Sequence, residues 1–325
     1  MTLLSVSNLR VVFGSGQGEL PAVDDVGFDV AEGEVLGIVG ESGSGKSVTA
    51  LSIMGLLPKP PARVAAGSIR FQGEDLLGFT ERELRGIRGP GIGMIFQEPM
   101  TSLNPVFTIG DQLMETVRVH ERVNAAAQRA RAIAMLAKVG IAEPEHRLRD
   151  YPHQLSGGMR QRVMIAMALA CSPRLLIADE PTTALDVTIQ QQILELLLDL
   201  REELGMAIII ITHNMGVVAE MADRVIVMYA GRIVERAPVT ELFERPAHPY
   251  TRGLLESIPA LADERDRLMT IPGMLPNPAA LPPGCRFEPR CPWRIAACAA
   301  AVPPLMPLRE GHESACIRQR ELATS

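Results

Sequence analysis

Hydrophobic residues in the first 70 positions come in short runs that Gly, Asp and Glu separate. The runs cover residues 3–13, 23–30, 35–39 and 68–71. Short runs rich in Val, Ile and Phe and bounded by turn residues are typical of β-strands. The pattern therefore predicts a sheet-rich lobe around a first strand and helix.

From residue 92 to about residue 170 the pattern becomes mainly helical. Residues 124–138 are rich in Ala and Arg, and residues 161–170 follow a pair of glycines. Such stretches favour helices. We expect a helical subdomain over about 95–165.

Two strongly apolar runs follow, at residues 175–178 and 207–211, with a helical stretch between them at 189–203. A strand, a helix and a strand predict parallel pairing through a right-handed crossover. A further strand at 224–229 and a short one after Gly231 complete an α/β core near residue 240.

Beyond residue 240 the composition changes. Thirteen of the 25 prolines and four of the five cysteines lie between residues 241 and 325. We therefore place a domain boundary there, with one domain over 1–240 and a small loop-rich extension over 241–325.

The overall composition indicates a globular protein with a substantial core, since 47% of the residues are hydrophobic and 22% are charged. The formal net charge of -6 disfavours nucleic acid as a partner. No apolar run approaches the roughly 18 residues that a membrane-spanning helix needs, and the N-terminus lacks the pattern of a signal peptide. We expect a cytoplasmic protein whose cysteines are thiols or metal ligands.

A phosphate-binding motif follows the apolar run 35–39. The segment from Gly40 to Ser47, Gly-Glu-Ser-Gly-Ser-Gly-Lys-Ser, fits G-x-x-x-x-G-K-[ST] and leads into a helical stretch at Val48. Glycines let backbone N–H groups turn toward phosphate, Lys46 can meet the outer phosphates, and the Ser47 hydroxyl can bind Mg²⁺. The loop alone would fit kinases, GTPases and helicases equally well.

Two further segments narrow the choice. The run 175–178 ends in Asp179 and Glu180, where the first acid can hold the Mg²⁺ shell and the second can polarise an attacking water. Ser156, Gly157 and Gly158 stand before a helix and can present a hydroxyl and bare N–H groups to a γ-phosphate.

With Gln97, the segment Ala184-Leu-Asp186 and His213, these motifs occur in the order found in ATP-binding-cassette (ABC) ATPases, which the chain resembles over residues 1 to about 240. The resemblance implies an α/β P-loop NTPase with a RecA-like core, an antiparallel β lobe and a helical subdomain. In that family two cassettes pair head to tail, so that the signature segment of one closes over the ATP bound to the other.

The same resemblance implies roles for individual residues. Glu180 would be the catalytic base and His213 the switch residue that aligns base, water and γ-phosphate. Mg²⁺ would be held by Ser47, Gln97 and Asp179. The residues expected to contact the nucleotide are Phe13, Gly40, Ser42, Gly43, Ser44, Gly45, Lys46, Ser47, Val48, Gln97, Ser156, Gly157, Gly158, Asp179 and Asp186.

Three of these positions need comment. Phe13 would stack on adenine, although a core phenylalanine at a strand end is the competing interpretation. Gln97 would also link the site to membrane subunits, and Asp186 would communicate across the dimer. Met159 replaces the commonest Gln of the signature, which leaves the phosphate-facing residues unchanged.

The segment from Arg245 to Pro259 resembles the extension on ATPase subunits of oligopeptide, dipeptide and nickel permeases. The resemblance implies an ATPase that energises import of peptides, with nickel as the alternative cargo. It further implies two permease subunits, an external binding protein, a paralogous second ATPase and a peripheral location on the cytoplasmic face of the membrane. A rival is an ABC protein acting on ribosomes or DNA, but such proteins usually carry two cassettes and basic linkers.

Four cysteines of the extension form a set, separated by gaps of 5, 6 and 17 residues. Four thiolates suit an Fe–S cluster or zinc, and the lack of a C-x-x-C pair lowers the case for zinc. Some members of the resembling subfamily carry a [4Fe–4S] cluster at such a pattern, so the resemblance favours that cluster over zinc or free thiols. The set consists of Cys285, Cys291, Cys298 and Cys316.

Overall fold

The computed structural model describes residues 1–15, 18–97, 102–183, 185–258 and 271–323. Two positions of the motifs above, Ala184 and Pro259, lie outside these residues. The chain divides into two compact units. The P-loop unit comprises Thr2–Val30, Val35–Leu77 and Ile211–Ser325, and the helical unit comprises Met1, Ala31–Glu34 and Gly78–Ile210.

An antiparallel sheet forms one layer of the P-loop unit, with strand order β2-β1-β4-β5. Its strands are β1 (Thr2–Ser15), β2 (Gly18–Ala31), β4 (Ala62–Phe71) and β5 (Glu74–Asp75). The register pairs Val6 with Ile69, and it shifts between Ser7 and Val11. The predicted sheet-rich lobe is confirmed, with strands longer than the apolar runs because polar neighbours continue the backbone pairing.

A second sheet carries the phosphate loop, and the strands that it has in this unit follow the order β11-β12-β10-β9-β3. Strands β3 and β9 are parallel, whereas the other neighbours are antiparallel. The strands are β3 (Val35–Val39), β9 (Arg224–Tyr229), β10 (Arg232–Pro238), β11 (Met306–Arg309) and β12 (His312–Ser314). The helices of this unit include α1 (Lys46–Ile53), α8 (Met215–Met221), α9 (Val239–Glu244), α10 (Pro249–Glu256) and α11 (Gln319–Leu322).

The core of the P-loop unit contains residues from both sides of position 240. Tyr229 of β9 lies 4.7 Å from Tyr250 and 5.2 Å from Phe287, measured between ring centroids. Val39 and Val227 belong to the same buried cluster. The segment after residue 240 therefore shares a core with β3 and β9. Its role as a separate domain stays a prediction.

The helical unit contains two parallel strands, β6 (Ile92–Ile95) and β7 (Leu175–Asp179), with Met94 opposite Ile177. Strand β8 (Ala207–Thr212) lies beside β7, and its last two residues belong to the P-loop unit. The helices are α2 (Glu81–Ile87), α3 (Ile109–His120), α4 (Ala125–Lys138), α5 (Pro144–Arg147), α6 (Gly157–Leu169) and α7 (Val187–Leu204).

One difference from the sequence pattern concerns the start of the helical region. Residues Ile92–Ile95 form a fully buried strand, because they pair with β7, and the helices begin later. Local signals fix the helix ends as expected, since Thr108 forms a capping box with Asp111 at α3 and Gly205 ends α7 with a φ of 63°. Within the described ranges, no helix has the length and apolar character required to cross a membrane.

Candidate nucleotide site

The phosphate loop begins where β3 ends, and two of its glycines occupy positions that no side chain could share. Gly40 has a φ of 151°, and a Cβ there would lie 2.2 Å from the carbonyl oxygen of Met228. Gly45 has a φ of 104°, and its Cβ would lie 2.8 Å from the carbonyl oxygen of Ala22. The loop therefore packs tightly against neighbouring backbone because it contains glycine at these points.

Lys46 is the first residue of α1 and is 5% exposed. Its Nζ donates to the carbonyl oxygens of Gly40 at 2.6 Å and Glu41 at 3.0 Å. The carbonyl of Ser44 in turn accepts from the N–H of Gly231 at 2.8 Å. The ammonium group thus lies inside the loop at a helix N-terminus, where positive charge and N–H groups favour an anion.

Other predicted residues of the P-loop unit have different exposures. Ser42 and Gly43 are exposed at the tip of the loop, and Ser47 and Val48 are half-buried in the first turn of α1. Phe13 is half-buried on β1, opposite Ala62.

His213 follows β8 and is exposed. The next residue, Asn214, accepts the N–H of Gly216 at 2.9 Å and so caps α8. The sharp turn from β8 into α8 places His213 at a strand end, as the sequence predicts.

The acid pair of the helical unit lies at the carboxyl end of β7. Asp179 is 4% exposed, whereas Glu180 is half-buried with a φ of 48°. Oε2 of Glu180 accepts from Nε2 of Gln97 at 3.2 Å and from Oγ1 of Thr183 at 2.7 Å. Gln97 follows β6, and β6 and β7 are parallel neighbours, so both side chains emerge at the same sheet edge. The structure thus brings together two residues separated by 83 positions.

The signature segment starts α6. Ser156 is its N-cap, and Oγ of Ser156 accepts the N–H of Met159 at 3.3 Å. Gly157 is exposed, and a Cβ on Gly158 would lie 3.2 Å from Cγ2 of Ile189. The exposed N-terminus of α6 can accept an anion.

Asp186 is the N-cap of α7. Its Oδ1 accepts the N–H of Ile189 at 2.9 Å, and the side chain is exposed. The position predicted to communicate across a dimer therefore also begins a helix.

Sequence reasoning missed Gln161, which is 2% exposed on α6. Its Nε2 donates to the carbonyl oxygen of Pro181 at 2.5 Å, and so joins the signature helix to the loop after Glu180. In the sequence, Gln161 stands just before an apolar run that begins at Val163, and this position was the one indication that its side chain would be buried.

The four cysteines of the extension line one cavity of about 20 Å³, together with His248 and Trp293. Burial raises the pKa of the Cys291 thiol to about 11 and that of the Cys316 thiol to about 12, and it also raises the pKa of Cys285. In the described part of the chain, no group of three or more His, Cys, Asp or Glu side chains is arranged to hold a metal ion. The cavity as it stands admits about one water molecule, and the four thiols that line it are the ligand type that an Fe–S cluster takes.

The phosphate loop suits the ligand expected of it. A glycine-lined loop with a buried lysine at the start of a helix can bind the phosphates of a nucleotide. These features define a P-loop nucleotide hydrolase.

Comparison with known proteins refines that class. The family described as ABC transporter matches residues 23–183, and the oligopeptide/dipeptide transporter C-terminal region matches residues 234–298. The chain is 55% identical over 321 residues to a probable peptide ABC transporter ATP-binding protein, y4tR, of Sinorhizobium fredii, covering 98% of this chain and 96% of the relative. It is 52% identical over 316 residues to the dipeptide transport ATP-binding protein DppD of Escherichia coli, covering 97% and 96%.

A solved structure of an ATP-binding cassette is also similar to this chain. A dimeric ATP-binding cassette in a post-hydrolysis state, bound to ADP and Pi, is 29% identical and has a TM-score of 0.65. The match covers 73% of this chain and 98% of that one. The chain therefore belongs to the family of ABC transporter ATP-binding proteins with the oligopeptide/dipeptide transporter C-terminal region, and it is an ABC ATPase.

Proposed function

We propose that this ABC ATPase energises the import of peptides through separate membrane permease subunits. The hydrogen bond between Gln97 and Glu180 is the observation that carries the proposal, because it joins the expected base to the residue expected to link the site with the permease. The names of the relatives and the match of the C-terminal region support peptides as the cargo. Nickel is the second candidate.

In the proposed mechanism, the residues from Gly40 to Ser47 bind the phosphates, and Ser47, Gln97 and Asp179 hold Mg²⁺. Phe13 stacks on adenine. Glu180 takes a proton from the attacking water, and His213 keeps water and γ-phosphate aligned. The Mg²⁺ supplies charge neutralisation at the phosphates when it is bound.

The signature segment acts on a second nucleotide. The exposed start of α6, with the hydroxyl of Ser156 and the N–H groups of Gly157 and Gly158, is suited to the γ-phosphate held by a facing cassette. We propose that the facing cassette is a paralogous ATPase, and that Asp186 lies at the shared interface. The dimeric form of the solved relative supports pairing of two cassettes.

A permease segment is proposed to dock on the helical unit. Three apolar side chains of this unit are well exposed, namely Val106 at 71%, Phe107 at 51% and Val119 at 65%. A cavity of about 340 Å³ is lined by Phe107, Val119 and Met167 among other residues. Exposed apolar residues around a cavity are typical of a protein-binding surface.

The first experiment is an affinity purification of the chain from gently solubilised membranes, with mass spectrometry of the subunits that accompany it. Two multi-spanning permease chains, a second cassette and a peptide-binding protein are the expected result. A nickel-binding protein would move the cargo to nickel. Ribosomal or DNA-bound partners without a permease would refute the import function and leave the ATPase assignment standing.

The docking surface has its own test. Phe107→Asp is expected to reduce recovery of the permease at least tenfold, because it places a charge in an apolar contact. Leu77→Asp, at a 37% exposed position of the P-loop unit, is the matched control. Equal losses of permease recovery in Phe107→Asp and Leu77→Asp would show that Phe107 is not part of a docking site.

A [4Fe–4S] cluster on Cys285, Cys291, Cys298 and Cys316 is a finer proposal, supported by the shared cavity and by the resemblance. Binding of the cluster requires the cavity between the four cysteines to widen. Purification without oxygen is expected to yield a brown protein with iron and sulfide, both lost in Cys291→Ser with Cys298→Ser. A colourless protein with one zinc, or with no metal, would refute the cluster.

The proposed domain organisation is a nucleotide-binding domain over 1–240, with a helical subdomain over about 95–165, and an extension over 241–325. The proposed location is peripheral, on the cytoplasmic face of the membrane, since the permease subunits would hold the chain there.

A further inference from the structure

The second residue of the phosphate loop, Glu41, contacts the segment after residue 240 through both its backbone and its side chain. Its N–H donates to Oη of Tyr250 at 2.8 Å. Its carboxylate oxygens accept from Nη1 of Arg290 at 2.8 Å and from Nη2 at 3.0 Å. Tyr250 is fully buried on α10, and Arg290 ends the short helical turn Glu288–Arg290. An element 249 positions away in sequence thus holds the loop.

The Arg290 side chain is fixed in place and is 7% exposed. Besides the two bonds to Glu41, it donates to the carbonyl oxygens of Pro272 at 2.9 Å and Ile271 at 3.2 Å, and to Oη of Tyr229 at 3.3 Å. These five bonds match the five N–H groups of a guanidinium. Burial alone would lower the pKa of Arg290, but the bonds to Glu41 and Tyr229 raise it above its usual value. The group stays positively charged.

Glu41 adds a negative charge to a loop whose expected ligand is a polyanion. A like charge on the loop weakens phosphate binding unless an opposite charge cancels it, and a largely buried pair is little screened by salt. The paired oxygens of Glu41 and the fork of Arg290 form the bidentate arrangement that is strongest for such groups.

We propose that Arg290 and Tyr250 are positioning residues for the phosphate loop, and that Arg290 cancels the charge of Glu41 so that the loop can accept a triphosphate. The segment after residue 240 then has a direct part in nucleotide binding. This inference concerns the ATPase itself and does not depend on the cargo or the permease.

The test measures the Kd of ATP, ADP and adenosine for the full chain by calorimetric titration. Arg290→Gln is expected to weaken ATP binding roughly tenfold, ADP binding less and adenosine binding not at all, because the repulsion acts on phosphate charge. The double variant Arg290→Gln with Glu41→Gln is expected to regain most of the affinity. A purely structural role for Arg290 would not produce this recovery or this dependence on phosphate number.

Arg236→Gln is the matched control. Arg236 on β10 pairs with Glu313 on β12 at 2.6 Å, so this pair also joins β10 to the segment after residue 240. Neither of these two strands leads into the phosphate loop. It is expected to leave all three Kd values unchanged.

Arg290→Lys provides a second variant if Arg290→Gln does not fold. It keeps a positive charge beside Glu41 with fewer hydrogen bonds, so ATP affinity should stay within about threefold of the wild type. The proposal is overturned if Arg290→Gln binds ATP as tightly as the wild type, if the double variant is as weak as the single one, or if Arg290→Lys loses as much affinity as expected for Gln.

Discussion

At the residue scale, the backbone of Glu180 differs from that of its neighbours in β7. Its φ of 48° lies in the left-handed region, which costs a non-glycine residue roughly 1 kcal/mol or more. The cost is offset by side-chain bonds from Gln97 and Thr183, which fix the carboxylate at the sheet edge. A strained backbone that specific side-chain contacts hold in place is typical of a catalytic position. Glu180 has such a backbone, and it lies next to the buried Asp179.

Glu180→Gln is expected to keep ATP binding and to lower the hydrolysis rate of the assembled complex by about 10²- to 10⁴-fold. The amide oxygen can still accept the bonds from Gln97 and Thr183, but it cannot take a proton from water. Steady-state ATPase assays with parallel nucleotide titrations check this. Glu195→Gln, on the exposed face of α7, is the control and should behave as the wild type. Full ATPase activity in Glu180→Gln would show that Glu180 is not the catalytic base.

His248 provides a prediction on pH. Its Nδ1 accepts the N–H of Tyr250 at 3.1 Å, and complete burial lowers the pKa of His248 to about 3. The unfolded chain binds a proton near pH 6.5 and the folded chain does not, so stability is fully present above pH 6.5 and falls as the pH drops toward 3.

The expected slope is up to about 1.4 kcal/mol per pH unit from this group. His248 is the N-cap of α10, and an asparagine there can still accept the N–H of Tyr250 but does not titrate. The free energy of unfolding of His248→Asn should therefore fall less steeply than that of the wild type between pH 6 and pH 4. Urea unfolding at several pH values measures the difference. Identical slopes for the two proteins would show that His248 does not titrate as a buried neutral group.

At the element scale, two helices of the helical unit begin at predicted site residues. Ser156 caps α6 and Asp186 caps α7, so each residue has a local structural task. A cap satisfies N–H groups that the first helical turn leaves without partners. The effect of a substitution there must therefore be separated from any effect on catalysis.

Asp186→Ala is expected to lower the free energy of unfolding by about 1 kcal/mol, because it removes the acceptor for the N–H of Ile189. Asp186→Asn retains the acceptor and should have nearly the wild-type stability. Thermal unfolding compares them. If Asp186 communicates across a cassette dimer through its charge, the Asn variant loses ATPase activity in the assembled complex while remaining stable. An Asn variant that is fully active would limit Asp186 to capping.

At the scale of the whole molecule, the segment after residue 240 is joined to the cassette strands by polar as well as apolar contacts. Glu235 of β10 is fully buried and accepts from the N–H groups of Ala247 at 2.6 Å and His248 at 3.0 Å. Nε2 of His312, on β12, lies 2.8 Å from its carboxylate. A buried acid needs such partners, and most of them come from later in the chain.

Phe287→Ala therefore should destabilise the P-loop unit and not the extension alone. Phe287 is 2% exposed and contacts Tyr229 of β9, so the expected loss is about 3–5 kcal/mol in a transition that includes β3 and β9. Hydrogen exchange at β9 and thermal unfolding measure it. Ile295→Ala, at a 44% exposed site, is the control and should cost less than about 0.5 kcal/mol. Unchanged protection at β9 in the Phe287 variant would show that the extension unfolds independently.

Much of the fold was predictable because its signals are local. Short apolar runs bounded by turn residues indicated the strands around residues 3–13 and 224–229, and the glycine pattern from Gly40 to Gly45 indicated a phosphate loop. Strand β6 was missed, since Ile92–Ile95 is too short to show a period and is a strand because it pairs with β7.

The sequence by itself determined the phosphate loop, the acid pair, the signature segment and the family, because each is a short run of residues whose chemistry depends on immediate neighbours. Only the tertiary structure decided which separate residues meet. Gln97 with Glu180, Gln161 with Pro181, and Arg290 with Glu41 are pairs that no local pattern specifies. The physical reason is that burial and hydrogen-bond geometry are set by how strands and helices pack, and that packing depends on the chain as a whole.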